Sequence, residues 1–180
     1  MRKANTQTGL TATLALAAAL VASCAEVEAE VAEAQVTQKG VSFHGTGWSG
    51  WNDEVAATQT FALSSENLSW VKDLNSKIFL TQIDLQAASG TKDLSFIHYA
   101  HVTMTGDRKT MPLDVAEYVR PENQGETPVV TAKMPNPVDI SMVWTADKVF
   151  VTITLAGRLP ERAWSVDVTL YLSGKMSYKL

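Results

Sequence analysis

The chain has 180 residues, one cysteine, 19 acidic and 15 basic residues, and a formal charge of −4 at pH 7. That length suits a domain with its own apolar core, and the acidic balance argues against nonspecific nucleic-acid binding, which needs a basic face. A lone cysteine leaves no internal disulfide, so the fold must stand on its core alone.

Arg2 and Lys3 open the chain with positive charge, and Leu10 to Ala22 follow as an apolar run with no acidic residue. A spanning helix needs about 20 apolar residues. This run is shorter, contains Thr11 and Thr13, and ends in small residues, so residues 1–23 read as a cleaved export signal. Its last residues, Val21, Ala22 and Ser23 followed by Cys24, resemble the lipobox of bacterial lipoprotein precursors. The resemblance implies that diacylglycerol alkylates the Cys24 thiol, that the signal is cut just before it, and that the new amino terminus is acylated, with palmitate as the expected type of chain. Each buried CH₂ contributes about 0.8 kcal/mol, so two or three such chains hold a protein at a membrane for practical purposes permanently. Ala25, where Asp would otherwise retain the protein at the inner membrane, resembles the sorting signal for the outer membrane in enteric-type bacteria. Two other readings of the same residues also export the domain: Ser23-Cys24-Ala25 as an ordinary small-x-small cleavage site, and retention of the run as an anchor. Removal of residues 1–23 leaves 13 bases against 19 acids, a formal charge of −6. No cluster of Lys or Arg offers a second membrane contact through anionic headgroups.

From Ala25 to Gly40 four glutamates, Glu26, Glu28, Glu30 and Glu33, alternate with Ala and Val. Side chains this small bury little area, so residues 24–40, the lipidated Cys24 included, are expected to be a flexible acidic tether. A single domain over 41–180 should follow. In Lys77 to Ala87, Phe79, Ile83, Leu85 and Ala87 share one face, with Ile78 and Leu80 as exceptions. Further strands are read at Val55 to Leu63, Phe96 to Thr105, Pro112 to Val119 and Val129 to Ala132, with a turn at Gly106-Asp107 and breaks at Pro121 to Pro128 and Met134 to Pro137. Val149 to Leu155 and Val166 to Leu172 alternate without interruption, and the Gly157 to Ala163 connection predicts that these two strands form an antiparallel hairpin. Ser64 or Ser65 is placed to cap a short helix over Glu66 to Leu74, and Asp139 a second over Ile140 to Ala146. About seven strands spaced by turns, with no long crossover helix, predict an all-β, antiparallel two-layer sandwich. A barrel is the alternative architecture.

Catalytic signals are sparse. Gly47-Trp48-Ser49-Gly50-Trp51 has Trp where a nucleophile elbow needs its second glycine. Among the histidines, His44, His98 and His101, the last two lie three apart in a strand pattern, which points them to opposite faces, and no zinc motif is present. No metal, cofactor or catalytic residue is therefore expected, and Asp84, Asp114, Glu117 and Asp167 show no spacing of an acid/base pair. Trp48 and Trp51, in a glycine-rich segment, are candidate glycan-stacking residues or a plug at one end of the sandwich. Trp70, Trp144 and Trp164 are read as core. The expected function is a lipid-anchored envelope module that binds a protein partner or positions one. A glycan-binding module using Trp48 and Trp51 is the alternative, and a hydrolase with carboxylates or His98 in a cleft is a third.

Overall fold

Val166, Val168, Leu170 and Leu172 alternate with polar neighbours and are all fully buried, so β8 (Trp164–Lys179) lays one face on the core, and pairing on both of its edges puts it inside a sheet. The computed structural model describes residues 26–44, 55–64, 76–106, 111–144 and 148–179. They form β1 (Glu26–Phe43), β2 (Val55–Ser64), β3 (Ser76–Ser89), β4 (Ile97–Gly106), β5 (Leu113–Val119), β6 (Val129–Asp139), the one-turn helix α1 (Ser141–Trp144), β7 (Lys148–Gly157) and β8. One sheet has the order β1-β8-β3-β6 and the other β2-β7-β4-β5, every pairing antiparallel. The chain is an all-β sandwich. Only β4 and β5 pair as sequence neighbours; the other connections pass between sheets, which is the eight-stranded jelly-roll arrangement.

The expected hairpin of the last two strands does not form. β7 lies between β2 and β4, and β8 between β1 and β3. The Gly157 to Ala163 connection instead carries the chain from one sheet to the other, with Leu159 buried on the way and the Arg158 N–H bonded to the Phe96 carbonyl at 3.0 Å. Its charged pair, Glu161 and Arg162, is exposed.

A bulge resolves the phase conflict in β3. Ile78 and Leu80 are buried, pairing shifts register between Leu80 and Gln82, and Ile83 and Leu85 are buried beyond it. Thr81 absorbs the extra residue, its hydroxyl donating to the Tyr171 carbonyl at 3.1 Å, so Phe79 is not on the core face as its spacing suggested. In β6, pairing with β3 lapses over Met134 to Pro137 and resumes at Val138, which an edge strand permits because its prolines need no ladder partner. Of the expected helix over Ile140 to Ala146, Ser141–Trp144 is helical, and Thr145 and Ala146 lie outside the described residues. Asp139 caps α1 as expected, accepting from the backbone N–H and the hydroxyl of Ser141. The helix expected over Glu66 to Leu74 lies outside the described residues.

The acidic tether is corrected too. Residues from Glu26 onward pair with β8 from Lys179 back to Trp164, with two register shifts, so the ordered domain starts before Val41. The reason lies in the alternation itself: Glu26, Glu28 and Glu30, then Glu33 and Gln35, alternate with Val and Ala, a strand pattern whatever its acidity, and the phase breaks at Ala32, within the Val31–Ala34 register shift. The core between the sheets is apolar, with Ser165 the sole buried polar residue among those described.

Candidate functional site

Among the described residues the interior is apolar, and polar groups that could act on another molecule lie on the outer face of the β2-β7-β4-β5 sheet. Register sets them in rows. Thr58 faces Thr154, which faces His101, which faces Glu117; Thr60 faces Thr152, then Thr103, then Asp114. The hydroxyls of Thr58 and Thr154 lie 3.0 Å apart, and those of Thr60 and Thr152 2.8 Å, each within hydrogen-bond distance.

At the β4–β5 end the rows become charged. Pairing shifts register between Val102 and Thr103, leaving Val115 as an extra residue, so Val115 and Ala116 both face the core while Asp114 and Glu117, three apart, both face outward. His101 Nε2 lies 3.1 Å from Asp114 Oδ1, their side chains 34% and 80% exposed. Tyr99 stacks beside His101, with ring centroids 6.5 Å apart. Partial burial pushes the Tyr99 phenol above its ordinary value, and the Glu117 carboxylate, by charge and as hydrogen-bond acceptor, pushes it the same way. The phenol therefore stays protonated at neutral pH. Together these groups form a polar patch that can donate and accept hydrogen bonds and carries negative charge. With the Asp114 side chain 80% and that of His101 34% exposed, the patch is reachable from solvent among the described residues, as a contact surface for another molecule would be.

The remaining sequence candidates fall elsewhere. Asp84, on the outer face of the other sheet, accepts from Gln82 at 2.9 Å, Thr131 at 2.8 Å and Tyr171 at 2.9 Å, tying β6, β3 and β8 together. Asp167 accepts the Gly40 N–H at 2.8 Å and holds the second irregularity of β1, where Gly40 has φ +66°. Both act as structural clamps. His98 is the extra residue where β4 shifts register against β7, so strict alternation toward His101 does not apply. His44 is exposed after β1. Among the described residues no group of three His, Cys, Asp or Glu has metal-site geometry. Trp144 and Trp164 are buried, as read from the sequence, and their indole N–H groups have no partner among the described residues. Cys24, Trp48, Trp51 and Trp70 lie outside the described residues.

The convergence of Asp114 and Glu117 with His101 was not legible from spacing, because a bulge changes the parity of the strand. Two adjacent apolar residues between two acids, as in Asp114-Val115-Ala116-Glu117, are the local signal for one.

No protein-family model matches the chain, and no curated protein matches it. Among solved structures, the chain is similar to one titled "Crystal structure of decameric BFDV Capsid Protein", with a TM-score of 0.39 and 10% identity over 84% of this chain and 99% of that one.

Proposed function

We propose that the chain is an exported envelope lipoprotein whose β-sandwich acts as an interaction module, binding a protein partner through its surface. The observation that carries the interaction reading is the division of chemistry in the fold. The described core is apolar apart from Ser165, while Tyr99, His101, Asp114, Glu117 and the threonine rows lie on an open sheet face. Jelly rolls serve many unrelated tasks, so the reading rests on this surface and not on the fold. The Val21-Ala22-Ser23-Cys24 lipobox supports attachment through lipid on Cys24, with Ala25 favouring the outer membrane. Since β1 starts at Glu26, acyl chains on Cys24 would hold one end of the sandwich close to the bilayer.

Crosslinking in intact cells followed by mass spectrometry tests both parts. The expected result is an acylated peptide beginning at Cys24 and reproducible crosslinks from the β4–β5 face to an envelope protein, lost in an Asp114→Lys, Glu117→Lys variant. A mature amino terminus without lipid overturns the anchor. Crosslinks that survive the charge reversal overturn the assigned surface.

A further inference from the structure

Each sheet has two edges, and three of the four carry features that discourage another strand from adding. β1 holds four glutamates and Lys39 and shifts register twice. β5 is seven residues long, exposes Asp114 and Glu117, and is bulged. β6 carries Lys133, Asp139 and two prolines, Pro135 and Pro137. The fourth edge, β2, has none of these. Its ten residues include no ionisable side chain and no proline, and all ten pair with β7 in unbroken register. Among the described residues β7 is its only strand neighbour. Ala56, Thr58, Thr60 and Ala62 are exposed, and the inward Val55, Ala57 and Phe61 stay only half-buried although they pack on the core.

We infer that β2 pairs antiparallel with β2 of a second copy about a two-fold axis at Gln59, joining two sandwiches through one eight-stranded sheet. The inference rests on the interaction-module reading and names the partner of this edge. A closed pairing of identical strands requires that residue i meets j while j meets i. The run Val55-Ala56-Ala57-Thr58-Gln59-Thr60-Phe61-Ala62-Leu63 meets that condition because it is nearly palindromic about Gln59. The axis sets Ala56 opposite Ala62 of the partner subunit, and Thr58 opposite Thr60 of the partner subunit. On the inner face Val55 meets Leu63 of the partner subunit, and Ala57 meets Phe61 of the partner subunit, a small residue leaving room beside a ring. The threonine hydroxyls that already meet across β2 and β7 would continue across the seam.

Charge selects the same edge. The whole chain carries −4, and two copies meeting antiparallel at β5 would set Asp114 opposite Glu117 of the partner subunit, like charges that destabilise a strand pair. β2 contributes no charge at all. A seam of one strand from each copy lies at the small end of specific interfaces, below about 1,200 Å², so the dimer is expected to dissociate on dilution.

Sedimentation velocity of the full chain, purified in detergent, over a wide concentration range is the test. The parent should pass from monomer to dimer as concentration rises. Variants Ala56→Lys/Ala62→Lys and Ala56→Glu/Ala62→Glu alter exposed positions that face each other across the axis. Each should melt near the parent temperature yet stay monomeric where the parent dimerises, and mixing the two should restore a dimer. Mild oxidation should link two copies of Gln59→Cys, whose Cα atoms would lie about 4.5–5.5 Å apart. It should not link Ala56→Cys, whose copies lie about 20 Å apart. A parent that stays monomeric, a charged variant that stays dimeric alone, or a mixture that does not associate overturns the inference. A monomeric parent that still crosslinks to an envelope protein in cells overturns this inference alone. A two-fold dimer that captures nothing else upholds it and removes the second partner.

Discussion

The indole of Trp164 stacks on the ring of Phe43, with centroids 4.8 Å apart and planes at 19°, and Phe96 meets the same indole edge-on at 5.0 Å. Phe43 and Trp164 are register partners where β1 meets β8, and Phe96 leads into β4 of the opposite sheet, so three rings close one end of the sandwich. Removing the indole with Trp164→Ala should cost about 3–5 kcal/mol in urea unfolding followed by circular dichroism. Trp164→Phe should cost clearly less, because a ring remains on Phe43. Equal losses would mean that the stacking adds nothing beyond volume.

How much of this was legible in the sequence depended on whether a signal was local. The alternations of Val149 to Leu155 and Val166 to Leu172 predicted strands with fully buried inner faces, and both are found. Their mutual pairing was misread, since an antiparallel hairpin and a crossing between sheets use the same short connection. In β3 the misfit of Ile78 and Leu80 was itself the mark of the bulge at Thr81. The strand character of Glu26 to Glu33 was masked by its acidity, although the period of two over Glu26, Glu28 and Glu30 was visible. The polar patch on β4 and β5 depends on register, which no single segment encodes.

Asp93 staples two loops: its carboxylate accepts the Ser95 hydroxyl, the Ser95 N–H at 2.9 Å and the Thr127 N–H at 2.8 Å. The Ser95 hydroxyl first, then the Thr127 N–H, hold its pKa below the ordinary carboxylate value, against a smaller opposing effect of burial. A folded pKa below the unfolded one, about 3.9, adds stability that is fully present above that pH. It is lost as pH falls through the lowered folded value. The difference in urea midpoint between the parent and Asp93→Asn should therefore be largest above about pH 4 and shrink in stronger acid. A difference that does not change with pH would show that the carboxylate charge is not what the loops use.

Gly157 has φ +148°, and a Cβ there would fall onto the Phe96 carbonyl oxygen and within 2.8 Å of the His98 nitrogen. Both obstacles are backbone, so neither can swing aside. Gly157→Ala should cost about 1–3 kcal/mol from backbone strain alone and more with the clash, at about 2–4 °C of melting temperature per kcal/mol. Gly40 has φ +66° with nothing within 4 Å of an added Cβ, so Gly40→Ala should show strain only, about 1–2 kcal/mol. A Gly157→Ala melting temperature no lower than that of Gly40→Ala would contradict the close approach.

The Tyr171 phenol is pushed above its ordinary value chiefly by donating its hydrogen bond to Asp84, with burial and the Asp84 charge acting the same way. Asp84→Ala should lower the titration midpoint of Tyr171, followed through its ring resonances by NMR, while Tyr118, whose phenol bonds Gln124, keeps its own midpoint. The same variant should lose stability, because Gln82 and Thr131 lose their shared acceptor across β3 and β6. A Tyr171 midpoint unmoved by the substitution would place the cause of its shift elsewhere.

A tether and an edge strand differ most in their amide protons. Glu26 to Val31 pair in register with Lys179 to Gly174, and Ser76 to Ile78 of β3 flank the same end of β8 from its other side. Among the described residues, Gly174 to Met176 of β8 are paired on both edges there, so their amides should exchange most slowly. Those of Glu26 to Val31 should split into two sets along the strand: the N–H groups that point to β8 protected, those at the free edge exchanging fast. Amide exchange read residue by residue by NMR at neutral pH distinguishes this from a tether, in which every amide of the segment exchanges at the free-peptide rate. Val31→Pro in an otherwise intact chain should collapse the protected set and deprotect the end of β8 it faces, whereas a tether would give no response in β8.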